Sequence, residues 1–362
     1  MFSLFKKELW TKELASWYLY DFANSFLFIN ITLYFSQWVV VDKGFTDFWY
    51  SVPVVIATVF LIFSTTHFGN LGDERGVHFK IFYLTSAITF LSIAVIVLVG
   101  RLIEGTTGVV IVLLLFGIFQ YFYQLALVPY YAFIKYITKP DNYGKISGIG
   151  FGFSQLGHIA GIFLTLPVIK GMTPFFGADR LAPLIPALIT AILFFLPSYF
   201  VFKKKQFPAQ NITAAKTFSF KTFWRNLMES RNYPGVFRLL LSFYLFSDAI
   251  LTFTLYSAVY LQKIFGASDV FKAKIFLYVL IGFAVGAFSG GAIADRWKHR
   301  LPLMTALALN SLSIITIAVV SNTVFLFPVF ILLGLTMGVA YASSRSYFTS
   351  LIPKELSGKF FG

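Results

Sequence analysis

The chain has 362 residues, 58% of them hydrophobic and 20% aromatic, and only 12% are charged. A soluble globule carries about 25% charged residues, so this composition excludes one and turns the apolar side chains toward lipid. The formal charge is +14, and the lack of cysteine excludes disulfides, thiol catalysis and iron–sulfur ligation. The excess of basic residues reads as membrane topology rather than as a nucleic-acid surface.

Ten apolar runs are long enough to cross a hydrocarbon core of about 30 Å as helices. They are expected near residues 14–40, 48–68, 79–100, 108–134, 146–170, 181–202, 236–262, 271–294, 301–320 and 323–347. Their continuity excludes the alternating segments of an outer-membrane barrel, so the expected fold class is an all-α polytopic membrane protein. The start, MFSLFKKELWTKEL, has no short apolar core followed by a small-residue cleavage site, so no cleavable signal peptide is expected.

The longest hydrophilic interruption, 203–235, follows the sixth run, and within it FSFKTFWRNLMES is amphipathic enough to lie along a membrane surface. With the N-terminus placed inside, most of the 29 Lys and Arg residues fall on the cytoplasmic side. The sequon at Asn211 then faces the cytoplasm and is read as chance.

An internal repeat organises the chain. GNLGDERGVHFK (69–80) after the second run is echoed by GGAIADRWKHR (290–300) after the eighth. YYAFIKYITKPDNYGKISG (130–148) after the fourth is echoed by SYFTSLIPKELSGKFFG (346–362) after the tenth. The reading is a six-plus-six design with an N-terminal bundle at 1–202, a linker at 203–235 and a four-helix C-terminal bundle at 236–362, the last two helices missing. A chain that ends early also raises the possibility of a non-transporting remnant.

These paired stretches resemble the major facilitator superfamily of secondary transporters. Gly69, Asp73, Arg75 and Gly76 match that family's signature after span two, with Glu74 where an Arg is common. Gly291, Asp295 and Arg296 match the echo, with Lys298 in place of its second Gly. Within the superfamily, SWYLYDFANS in span one and YGKISGIGFGFSQLGHIAG in span five look like the vacuole-effluxer branch, related to autophagy amino-acid exporters and to bacterial transporters of unknown substrate. The resemblance implies a small-solute transporter working by alternating access, with spans one, four, seven and ten around a central cavity. It implies a conformational gate at Gly69, Asp73, Arg75, Gly76, Asp295 and Arg296, in which Asp73 meets the N-terminus of span eleven, the helix this reading expects to be missing. A monomer in a bacterial inner membrane is expected, or in the vacuolar membrane for a eukaryotic chain; drug or lipid efflux is the alternative.

Two carboxylates lie well inside spans, Asp21 in the first and Asp248 in the seventh. A central Asp costs roughly 2.5–3.5 kcal/mol to insert, so each is expected to face a cavity or partner and is a candidate for proton coupling. His158, near Gln155 in span five, is a further proton-coupling candidate. Asn24, Gln120, Tyr123, Gln124, Gln155 and Arg345 are candidates for the substrate cavity. Arg345 could bind a carboxylate with its planar fork, pair with Asp21 as a gate, or snorkel; Lys135 is read as snorkelling. No nucleophile–base pair or metal-ligand spacing stands at matching depth, so neither an enzyme, a metal nor a cofactor is expected.

Overall fold

The computed structural model describes residues 6–176, 180–209, 224, 228–267, 269–320 and 322–361. The sequon at Asn211 and most of the amphipathic stretch at 218–230 lie outside these residues. Ten helices among the described residues are long and apolar enough to cross a membrane, and no strand occurs among them.

We number the helices α1 Lys12–Asn30, α2 Asp47–Arg75, α3 His78–Leu102, α4 Gly105–Ile137, α5 Tyr143–Phe176, α6 Leu184–Phe202, α7 Val236–Phe265, α8 Asp269–Trp297, α9 Arg300–Val319, α10 Leu326–Leu351 and α11 Ser357–Phe361. The first span runs on through π-helical turns at Ile31–Phe35 and Trp38–Asp42. Pro53, Pro129 and Pro197 lie inside α2, α4 and α6, which membrane helices tolerate because neighbouring groups take up the freed carbonyls.

The backbone gathers into two compact units. One comprises Ala15–Ile137, Ala160–Leu227 and Pro353–Gly362; the other comprises Met1–Leu14, Thr138–Ile159 and Met228–Ile352. In the first unit, aromatic and aliphatic side chains including Leu27, Phe35, Phe116, Phe119, Leu184 and Ala187 form the core. There α1 lies antiparallel to α4. Trp17 stacks on Tyr130 at 4.6 Å and donates from its indole nitrogen to the Tyr130 carbonyl at 2.9 Å, and further along Phe28 stacks on Tyr123 at 5.1 Å.

In the second unit, Ile275, Phe283, Ala287, Phe330, Leu333 and Met337 are among the core residues. Helices α8 and α10 approach at backbone distance, because a Cβ on Gly286 would strike the Leu335 carbonyl and one on Gly338 the Phe283 carbonyl. Close small-residue crossings of this kind replace the hydrophobic driving force that lipid removes.

Candidate functional site

The signature stretches are helical where the expected second run ended at 68 and the eighth at 294. Gly69, Asp73 and Arg75 belong to the last two turns of α2, and Gly291, Asp295 and Arg296 to the last two turns of α8. At 1.5 Å per residue, each 29-residue helix is about 43 Å long and overruns a hydrocarbon core of about 30 Å, so hydropathy alone stops short of its end. Gly76 ends α2 in the left-handed conformation at φ 65°, and in the second copy Lys298 adopts the same conformation at φ 60°. That conformation is open to glycine and strained for lysine.

Each signature carboxylate caps a helix start. In the first unit Asp73, 1% exposed, accepts from the amide of Gly358 at 2.9 Å and of Lys359 at 2.8 Å, both in α11. In the second unit Asp295 accepts from the amides of Gly144 at 2.6 Å and Lys145 at 2.8 Å, both in α5, with the Lys145 ammonium at 3.8 Å. The first amides of a helix have no partner within it and carry its positive dipole end, so a carboxylate there satisfies both geometry and charge.

The expectation that Asp73 would find no helix is therefore corrected: the first turn of α11 lies within 357–361 and meets it. Both capped helices follow a proline-led 3-10 turn, Pro140–Asn142 before α5 and Lys354–Leu356, after Pro353, before α11.

The glycine one turn before each acid explains the rest of the signature. A Cβ on Gly69 would collide with the Gly358 carbonyl, and one on Gly291 with the Gly144 carbonyl. Gly69 thus admits α11, whereas Gly72 admits α3, since a Cβ there would meet the His78 ring.

Sequence reasoning missed His78. Its Nε2 lies 2.9 Å from Asp73 Oδ1, with both side chains 1% exposed, and its ring packs near Tyr136 and Phe207. The missed amides had one signal in the sequence: no Ser, Thr, Asp or Asn stands immediately before Tyr143 or Ser357 to cap the helix locally, except Asn142, whose side chain bonds Lys145 Nζ at 3.2 Å instead.

The remaining candidates divide between the units. On α1 and α4 of the first unit, Asp21 is 6% exposed and Gln120 9%, Asn24 and Tyr123 are half-buried and Gln124 is exposed. The Gln120 Oε1 atom is buried without a hydrogen-bond partner among the described residues. Lys135, read as snorkelling, is buried instead.

In the second unit Arg345 of α10 is also buried. Its Nε donates to Ser147 Oγ at 2.9 Å, its Nη2 to the Ser147 carbonyl at 2.6 Å, and its guanidinium lies 3.9 Å from the Phe151 ring centroid. Ser147 Oγ in turn donates a hydrogen bond to the Ala342 carbonyl at 3.0 Å. Arg345 thus ties α10 to α5. His158 Nδ1 lies 3.3 Å from Gln155 Oε1, and Asp248 is exposed on α7. Among the described residues no group of three or more His, Cys, Asp or Glu side chains could hold a metal.

Capped repeat signatures on ten apolar helices define a multi-pass integral membrane protein of the secondary-transporter class. Residues 150–362 match the sequence model of the Major Facilitator Superfamily, and the chain belongs to that family, which is not one of enzymes. It is 23% identical over 380 residues to an uncharacterized MFS-type transporter, YxiO, of Bacillus subtilis (strain 168), covering 97% of this chain and 84% of that protein. Its fold is similar to the E. coli fucose:proton symporter FucP, with a TM-score of 0.71 and 17% identity over 96% of this chain and 86% of that one. It is likewise similar to the human organic anion transporter MFSD10, with a TM-score of 0.69 and 13% identity over 97% and 88%.

Proposed function

We propose that this transporter moves a small zwitterionic solute, amino acids first among them, by alternating access of its two halves, 1–202 and 236–362, and that Asp21 couples the movement to protons. The observation that carries the reading is Asp21 itself, a carboxylate buried in an apolar span beside a helix whose Gln120 presents a buried acceptor with no partner among the described residues. A buried amide oxygen left open loses a hydrogen bond that a substrate ammonium can restore. Carboxyl groups inside spans serve as proton relays in transporters, taking a proton from one side and releasing it to the other.

Asp248 and His158 serve as secondary proton groups in this reading. Asn24, Tyr123, Gln124, Gln155 and Arg345 line the solute path, Arg345 offering its fork to a substrate carboxylate when the Ser147 contact opens. The Asp73 and Asp295 caps act as the gate, each favouring one access state while its two amide bonds hold. The N-terminus faces the cytoplasm of a bacterial cell, and the chain works as a monomer of the vacuole-effluxer branch.

A second reading, export of a lipid or an apolar drug, is favoured by one feature. Between α2 and α4 runs a groove of about 380 Å³ flanked by Trp49, Pro53, Phe60, Leu114, Gly117 and Phe122, with almost no polar surface. Proteoliposomes loaded with labelled amino acids under an imposed pH gradient separate the two readings. The first expects gradient-dependent amino-acid flux; flux of apolar dyes alone contradicts it.

A further inference from the structure

A second site lies on the basic side of the first unit, at the ends of three spans. Here α2 ends at Arg75, α3 begins at His78 and α6 ends at Phe202, so the place is the membrane surface. A groove of about 580 Å³ opens there, with Lys80, Lys205, Gln206 and the Gly76–Val77 backbone among its walls.

The groove is held open by packing. Phe207, buried just past α6, stacks on Phe133 at 4.7 Å and meets Tyr136 edge-on at 5.3 Å. Its carbonyl lies against Gly76, where any Cβ would collide with it. The stretch 203–208 is thereby pinned beneath the α2–α3 turn, and both Lys205 and Lys80 line the groove.

The electrostatics of this groove point one way. None of its lining residues is acidic. The neighbouring Asp73 carboxylate is engaged by His78, Gly358 and Lys359, and Glu74 does not line the groove. Arg75, Lys203 and Lys204, all exposed, lie within two residues of its lining in the chain. Clusters of four or more basic residues immediately beside spans attract anionic lipids, at about fivefold in affinity per residue near the surface. Phe79, Val77 and Pro208 complete the walls with apolar surface, which suits the glycerol end of a lipid better than a hydrated inorganic ion.

We propose that this groove binds the phosphate-bearing headgroup of an anionic phospholipid from the adjacent leaflet, with Lys80 and Lys205 clasping the phosphate and Gln206 donating to it. The site is separate from the solute path and its occupancy does not depend on which solute is carried.

The full chain in detergent, titrated with phosphatidylglycerol or phosphatidylcholine and followed by native mass spectrometry, tests this. The wild type is expected to retain one phosphatidylglycerol in preference to phosphatidylcholine. The double variant Lys80→Gln, Lys205→Gln is expected to bind it about 30-fold more weakly, while Lys203→Gln, Lys204→Gln, with the same change in net charge, loses fivefold or less. All four substituted lysines are exposed or half-exposed, and gel filtration checks that each variant stays folded. Equal loss in both double variants overturns the site in favour of a diffuse charge effect. Displacement of the lipid by equimolar glycerol 3-phosphate overturns the assignment to a membrane lipid in favour of a soluble phosphate ester.

Discussion

Removing the Asp73 carboxylate tests the gate at a defined energy. In Asp73→Ala the Gly358 amide loses its acceptor in a buried setting and the Lys359 amide in a half-buried one, while the His78 ring loses its partner. An orphaned buried donor costs about 1–3 kcal/mol, and a capping charge at a helix start is worth about 0.3–1 kcal/mol. The half-buried amide recovers part of its loss from water, so the net weakening of α11 docking is about 2–4 kcal/mol, or roughly 30- to 1,000-fold in its opening equilibrium. Asp73→Asn keeps one acceptor oxygen and is expected to fall at the low end of that range.

The chain contains no cysteine, so a single Ser357→Cys probe, placed at a fully buried position of α11, reports opening without background. Its rate of labelling by a water-soluble maleimide is expected to rise by that factor in Asp73→Ala. A rate unchanged from the Ser357→Cys parent would refute the argument that this carboxylate holds the helix.

Further predictions concern the echo of the signature. Lys298→Gly relieves a left-handed lysine and is expected to raise stability by about 0.5–1 kcal/mol, read as a higher melting temperature in detergent. Gly291→Leu drives a side chain into the Gly144 carbonyl and the Gly148 backbone, and is expected to lower the melting temperature sharply, whereas Gly105→Ala, with open space around it, shifts it only by the strain of its positive φ. Burial pushes the His299 imidazole below its usual value of 6.5, and its Nδ1 bonds Ser346 Oγ at 3.0 Å. Because the unfolded chain then binds the extra proton, stability from this group is present above about pH 6.5 and is lost as pH falls below it. His299→Gln is expected to flatten the decline in melting temperature between pH 7 and 5 relative to the wild type.

The spans were legible because their signal is local: an apolar run of 20 residues must be helical in lipid whatever its neighbours are. The expected 79–100 became His78–Leu102 and the expected 301–320 became Arg300–Val319. The helix ends carrying Asp73 and Asp295 were not legible, since charged turns beyond the hydrocarbon core look like loops to any measure of hydropathy. The repeat did reveal the two acids, but not what they touch. Their partners are backbone amides, which carry no residue-type signal, and in the first copy a histidine that the family pattern does not mark.

Arg345 shows the same limit. Its depth in the sequence was clear, yet its clasp on Ser147, nearly 200 positions away, depends on how α5 and α10 pack. Asp21 and Asp248 were equivalent by repeat position, whereas the structure buries the first and exposes the second. Burial of a side chain is a property of the packed helices around it, which one helix's sequence does not contain.

The central claim, that Asp21 links solute movement to protons, is tested most directly by proton flux. The wild type and Asp21→Asn are reconstituted in vesicles containing a pH-sensitive dye, and each candidate amino acid is added outside. The wild type is predicted to change the internal pH only when a transported amino acid is present, and Asp21→Asn to show no such change while solute exchange persists. Equal proton movement in the two proteins would contradict the account.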